Sequence, residues 1–293
     1  MRSLQRLRRF TFVVLMATTA PTFAEQACAV PAKDPSRIAV AGGSLTEILY
    51  FLGEEERIVA VDTTSNFPLA ARELPQIGYV RALSAEGVLT LNPTLVLGEH
   101  DAGPPEVIEQ LARTGIETAI VPEAFTPQGI VDKVACVITL LDLPEARRRQ
   151  ALERLEDLQE AAASVPAAAT APKVVVLLGI RDGVPVAAGA NTSGDGLLAM
   201  AQATNVFAGV DGWKPISLEI MAQAQPDYIV IPERGLAAAG GIDGLVEHPA
   251  IRITPAGKDR QVIAMDGMTM LGYGPRTLQA AVDLAVVLHG SAD

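Results

Sequence analysis

The sequence predicts an α/β protein of two lobes, each a mainly parallel sheet flanked by helices, joined by one long α-helix. Three observations predict it. Short β-rich runs alternate with helical stretches, and one long helical segment free of Gly and Pro interrupts that alternation near the middle. A Ser-x-Glu, helix, Pro, strand unit then occurs once on either side of the interruption.

The chain opens with a leader. Arg2, Arg6, Arg8 and Arg9 precede an apolar run over residues 10–20, Pro21 breaks it, and Thr22-Phe23-Ala24 offers small residues where a signal peptidase reads. The run is shorter than the ~20 residues of a permanent span. Residues 1–24 therefore read as a signal peptide, cleaved after Ala24, that sends the protein to the periplasm. The full chain carries a formal charge of −11; without the four leader arginines, 19 basic residues face 34 acidic ones, a net of −15. So acidic a protein is a poor partner for nucleic acid, whose phosphates require a basic face. About 269 residues then remain, enough for two lobes with cores of their own.

The first lobe is placed at residues 37–143. Residues 37–41 are a strand. Gly42-Gly43 turns the chain, and Ser44 with Glu47 three residues on reads as a capping box that opens a helix to Leu52. Further strands are expected at 58–62, 95–97 and 118–121. Residues 144–166 form the linking helix, rich in Ala, Leu, Glu, Arg and Gln. An Ala/Pro stretch follows, and the second lobe occupies 172–293, with strands expected at 173–178 and 228–231. Two cysteines, Cys28 and Cys136, can pair in an oxidising compartment. Cys136 otherwise reads as a small core residue of the apolar helix 130–141, the more frequent case, and the sequence leaves both readings open.

The repeated unit consists of Ser84-Ala85-Glu86 with Pro93, and of Ser217-Leu218-Glu219 with Pro226. Each serine reads as a helix N-cap, with the glutamate in the first turn at the positive end of the dipole. The repeat also places one acid on a related surface of each lobe.

Several segments, in order, carry a resemblance. They are residues 75–86 (Pro-Gln-Ile-Gly-Tyr-Val-Arg-Ala-Leu-Ser-Ala-Glu), 102–105 (Ala-Gly-Pro-Pro), 185–189 (Pro-Val-Ala-Ala-Gly), Arg234-Gly235 before 240–244 (Gly-Gly-Ile-Asp-Gly), and 271–276 (Leu-Gly-Tyr-Gly-Pro-Arg). Over about residues 37–290 the chain resembles the helix-linked solute-binding proteins of ABC importers for vitamin B12, ferric siderophores and haem, above all the periplasmic haem-binding proteins. The resemblance implies a monomer that captures haem b as transported ligand and delivers it to an inner-membrane ABC permease with its ATPase. Tyr79 is then the axial iron ligand, and Arg234 reaches across the cleft towards it. Glu86 and Glu219 are then the acids that dock on the permease. A ferric-siderophore or corrinoid binder of the same fold is the alternative; a periplasmic haem-modifying enzyme is the alternative of another class.

The chemistry of the residues bears on these roles. Ferric iron favours a hard anionic oxygen, which a phenolate supplies. Of the four tyrosines, Tyr79 and Tyr273 are flanked by glycine in turn-like segments, whereas Tyr50 and Tyr228 lie in apolar elements. Arg81, Arg234 and Arg276 carry guanidinium forks suited to propionates or to orienting the phenolate. His100 follows the strand at 95–97, at the end where open α/β sheets bind ligands, and is a pocket residue or second axial donor. Met268 and Met270 suit an adaptable apolar wall, although core packing is the more frequent role of such methionines. The stretch 179–185 (Gly-Ile-Arg-Asp-Gly-Val-Pro) lacks the histidine with which some relatives hold a second stacked haem, which favours one haem. No hydrolase elbow, phosphate loop or zinc-protease helix occurs, so no catalytic residue is assigned.

Overall fold

A computed structural model describes residues 28–165 and 170–290. The leader and its cleavage site, and most of the Ala/Pro stretch after the linking helix, lie outside the described residues.

The first lobe is built on four parallel strands, in the spatial order Ile58–Val61, Ile38–Ala41, Leu95–Gly98 and Glu117–Ile120. In chain order its elements are β1 (Ile38–Ala41), α1 (Gly43–Leu52), β2 (Ile58–Val61), the hairpin β3 (Gly78–Tyr79) and β4 (Ala82–Leu83), α2 (Ala85–Leu89), β5 (Leu95–Gly98), α3 (Pro105–Arg113), β6 (Glu117–Ile120) and α4 (Pro127–Leu140). Ile38–Ala41 and Leu95–Gly98 are buried along their whole length, as strands covered on both faces must be. α5 (Glu145–Ser164) is the linking helix, 20 residues and ~30 Å long.

The second lobe follows with β7 (Lys173–Arg181), β8 (Val184–Ala188), α6 (Ser193–Met200), β9 (Thr204–Asn205), β10 (Trp213–Pro215), α7 (Leu218–Ala224) and β11 (Tyr228–Pro232). After them come α8 (Glu233–Ala238), α9 (Gly241–Glu247), α10 (Pro255–Lys258), β12 (Val262–Met265), α11 (Gly267–Leu271) and α12 (Pro275–His289). Its sheet is mixed: β9, β11 and β12 run in the parallel sense with β7, while β8 and β10 add antiparallel pairings.

The lobes share a core. One apolar cluster runs from Val40 and Leu97 of the first sheet through Leu155 of α5 to Val176, Leu197 and Leu278 of the second lobe. α12 packs on α5 and α6 and also reaches α1 of the first lobe. Rotating one lobe against the other therefore exposes apolar surface, at roughly 25 cal/mol per Å².

Two local expectations are resolved differently. Ser44 and Glu47 do not form a capping box. The helix N-cap is Gly42, whose N–H donates to Asp62 Oδ1 at 3.1 Å, and the next amides go to Thr64 Oγ1 (2.9 Å) and Glu99 Oε1 (3.0 Å). Gly42 holds φ 144°, and a Cβ there would fall 2.3 Å from the Glu99 side chain. Two distant acids and a threonine thus satisfy the helix start. Of the two readings left open for the cysteines, the disulfide is formed: Cys28 and Cys136 are bonded, Cα atoms 4.8 Å apart, and Cys136 is also buried in the core.

Candidate functional site

The carboxyl ends of the parallel strands of both sheets converge on one cleft, as expected for open α/β sheets. Thr63 and Thr64 follow β2, Glu99 to Asp101 follow β5, and Glu123 follows β6. From the other lobe come Gly179 to Arg181 at the end of β7, Glu233 and Arg234 after β11, and Asp266 after β12. The cleft measures about 890 Å³, near the upper end of the usual range for small-molecule sites.

Tyr79 stands on its wall, 43% exposed, on the β3–β4 hairpin. The hairpin is held by Asp62, which is fully buried: its Oδ2 accepts from Val80 N at 3.1 Å and from Thr64 N at 3.0 Å. Backbone bonds from Thr63 N to Gly78 O and from Gly103 N to Val80 O, both 2.8 Å, tie the hairpin down on two sides. Gly78 has φ 101°, and a Cβ there would meet Ala82 O at 2.9 Å, so glycine is required beside the tyrosine. The phenol is thus presented by a fixed backbone.

The rim is cationic. Arg81, Arg181 and Arg234 are exposed and line the cleft. Arg81 is held by Asp101 at 2.6 Å through Nε, while no hydrogen bond or ion pair among the described residues engages Arg234. His100 lies beside them, its ring edge-on to Phe125 with centroids 6.4 Å apart. Partial burial and the nearby Lys133 and Arg81 cations hold its pKa below the usual imidazole value against the opposing pull of Asp101, so the ring is neutral. Phe125, Leu178, Trp213, Met268 and Leu271 supply the apolar walls.

The inner end is acidic, and sequence reasoning missed it. Lys133 of α4 is buried; its Nζ donates to Glu123 Oε2, to Ser44 Oγ (3.2 Å), and to the carbonyls of Gly272 (3.2 Å) and Tyr273 (3.1 Å). Ser44 Oγ in turn donates to Glu99 Oε1 at 2.6 Å. Burial raises the Glu123 pKa to about 7 in spite of Lys133, and burial likewise raises Glu99. Two signals pointed here: a lone lysine in the apolar helix 130–141, and Glu99 in the same strand-end position that singled out His100.

Two expected cleft residues are placed elsewhere. Tyr273 does not line the cleft. It is fully buried in the shared core, and its hydroxyl donates to Ser193 O at 2.9 Å. Burial pushes its pKa far above the ordinary tyrosine value, so it is no phenolate donor. Arg276 also leaves the ligand list. Its backbone N and its Nε bind the two oxygens of buried Glu47 at 2.8 and 2.7 Å, and its guanidinium stacks 3.7 Å over Phe67. That guanidinium clasps α12 to α1. Met268 lines the cleft and Met270 is core. Glu86 and Glu219 lie outside the cleft, both exposed in the first turns of α2 and α7. Ser84 Oγ accepts from Gly87 N at 3.1 Å and Ser217 Oγ from Ile220 N at 3.4 Å, as N-caps do.

Known proteins resemble this chain in fold and sequence. The periplasmic haem-binding protein RhuT from Roseiflexus sp. RS-1, in its apo form, superposes with a TM-score of 0.81 at 37% identity, covering 88% of this chain and 99% of that one. The periplasmic haem-binding protein HutB of Vibrio cholerae gives 0.78 at 31%, covering 87% and 100%. A vitamin B12-binding protein from Photorhabdus laumondii is 26% identical over 264 residues, 87% of this chain and 88% of its own. The family model for periplasmic binding proteins matches residues 38–269, and the chain belongs to that family.

Proposed function

We propose that the protein captures one haem b in the periplasm and hands it to an ABC permease. The observation that carries the reading is Tyr79, a phenol on a braced hairpin at the wall of a cleft that bears arginines from both lobes. A phenolate is the hard anionic donor that ferric iron favours. Arg81 and Arg181 or Arg234 match the two propionates of the ligand. The apolar walls suit the faces of a porphyrin. The haem-binding names of the similar structures support the same ligand.

The lobes' shared core keeps their relative motion small during capture. Glu86 and Glu219 then present one exposed acid per lobe to arginines of the permease; Leu218 and Ile220 are exposed beside Glu219. Transport energy is supplied by a separate ATPase, and the chain itself, a monomer, catalyses nothing. The leader over residues 1–24 places it in the periplasm.

A corrinoid is the second reading, favoured by the vitamin B12-binding relatives. Absorption titration of the wild type and Tyr79→Ala with hemin, run beside cyanocobalamin, tests both. A Soret band that the variant loses supports haem. Tight cyanocobalamin binding with no hemin spectrum overturns it.

A further inference from the structure

The inner end of the cleft holds two carboxyls and one cation. Glu123 and Glu99 are joined through Lys133 and Ser44, and Lys133 spends its other hydrogen bonds on two carbonyls of the second lobe. Glu123 Oε2 takes the Lys133 ammonium, whereas Glu123 Oε1 is buried with no hydrogen-bond partner, on a side chain only 7% exposed that lines the cleft. One lysine cannot compensate two buried acids and leave both ionised once the site is dry.

We propose that Glu123 is the proton-binding residue of the ligand site: a ligand that closes the cleft is captured together with one proton from solvent, which settles on Glu123 Oε1. The inference rests on the haem reading above. A porphyrin held against the apolar walls, to which Phe125 and Met268 contribute, removes water from the acid end. The ferric porphyrin core and one phenolate sum to no net charge and the two propionates are met by the rim arginines, so loss of water is the main effect on the carboxyl, and it favours the neutral form.

The groups facing Glu123 agree with that outcome. Lys133 and Asp132 come from α4, Glu99, His100 and Asp101 from the segment after β5, and the Tyr273 hydroxyl from the segment before α12. Among the described residues Lys133 is the nearby cation that opposes protonation, and it is already shared. Glu99 and Asp101 favour protonation. The free protein is poised for it, with Glu123 raised to about 7 by burial.

The test is a proton count. Hemin is titrated by calorimetry into the intact protein and into Glu123→Gln at pH 8, in phosphate and in Tris, whose ionisation enthalpies differ. Loss of the Tyr79 phenolic proton is common to both proteins and cancels. The wild type is expected to take up close to one more proton than the variant, since a group titrating near 7 is about nine-tenths ionised one unit higher. Its hemin affinity is expected to fall about tenfold per pH unit above pH 8 relative to Glu123→Gln. Equal proton counts with normal Soret bands overturn the inference and leave the haem reading standing; absence of hemin binding by the wild type overturns both. Where Glu123→Gln does not fold, the infrared spectrum of ¹³C-labelled wild type decides. A protonated-carboxyl band from labelled protein that grows on adding hemin supports the assignment, and an unchanged band overturns it.

Discussion

Tyr79 and Tyr273 both follow a glycine in a short turn, and their fates differ completely. The first is 43% exposed on the wall of the cleft, and the second is fully buried with its hydroxyl on Ser193 O. Their local sequence is nearly the same; what surrounds them is not. Tyr79 belongs to a two-strand hairpin standing on Asp62 above the sheet edge. Tyr273 sits between α11 and α12, where the cores of the two lobes merge. The comparison separates the ligand-facing rim from the core that joins the lobes, and each can be broken on its own.

The largest effect is expected in the joining core. Tyr273→Ala removes a fully buried aromatic ring and its hydrogen bond, at a cost of about 3–5 kcal/mol. For a protein of this size that lowers Tm by roughly 10 °C. Thermal unfolding checks it, and a Tm unchanged within 2 °C would remove Tyr273 from the core.

Tyr79→Ala should do the reverse. An exposed hairpin side chain contributes little to stability, so unfolding is expected to shift by less than about 0.5 kcal/mol. Hemin binding, read by the Soret band, is expected to weaken on the order of 100-fold or more, the scale at which even outer-shell losses are felt in metal sites. A variant that binds hemin as the wild type does would end the contrast between the two tyrosines.

How much of this was legible before the fold is uneven. The α/β alternation, the linking helix and the serine caps of α2 and α7 follow from local chemistry, and they are where the sequence put them. Tyr79, Arg81, His100 and Arg234 do meet at one cleft. Tyr273 and Arg276 do not, because their partners, Ser193 and Glu47, lie 80 and 229 residues away, beyond any local pattern. The Glu123–Lys133–Ser44–Glu99 chain has no local signature for the same reason: its members sit on four separate segments. The i, i+3 spacing points Glu47 to its own helix cap, whereas the fold gives it to a distant guanidinium.

That claim is itself testable. Glu47→Gln keeps the shape of the buried clasp between α1 and α12 but removes the charge that receives Arg276 at 2.7 Å, leaving a partly buried guanidinium with Asp266 at 3.5 Å as its nearest acid. A loss of about 2 kcal/mol in urea unfolding is expected, with hemin affinity changed less than threefold, because neither residue lines the cleft. A large loss of hemin binding with stability intact would move this pair from the core to the ligand site.

The smallest effect sits where the two regions touch. Glu123 lines the cleft yet leans on Lys133, which holds the carbonyls of Gly272 and Tyr273. Its folded pKa of about 7 lies above the ordinary 4.5. Between those values the folded protein keeps a proton that the unfolded chain has lost, so stability is greatest at the acidic side and falls as pH rises through 7. Above that the term is constant. In urea unfolding of the ligand-free protein, the wild type is therefore expected to lose on the order of 1 kcal/mol between pH 5 and 8 relative to Glu123→Gln, which carries no such proton. A wild type that gained stability over the variant across that window would mean that Lys133 holds Glu123 ionised throughout, and the acid end of the cleft would belong wholly to the joining core.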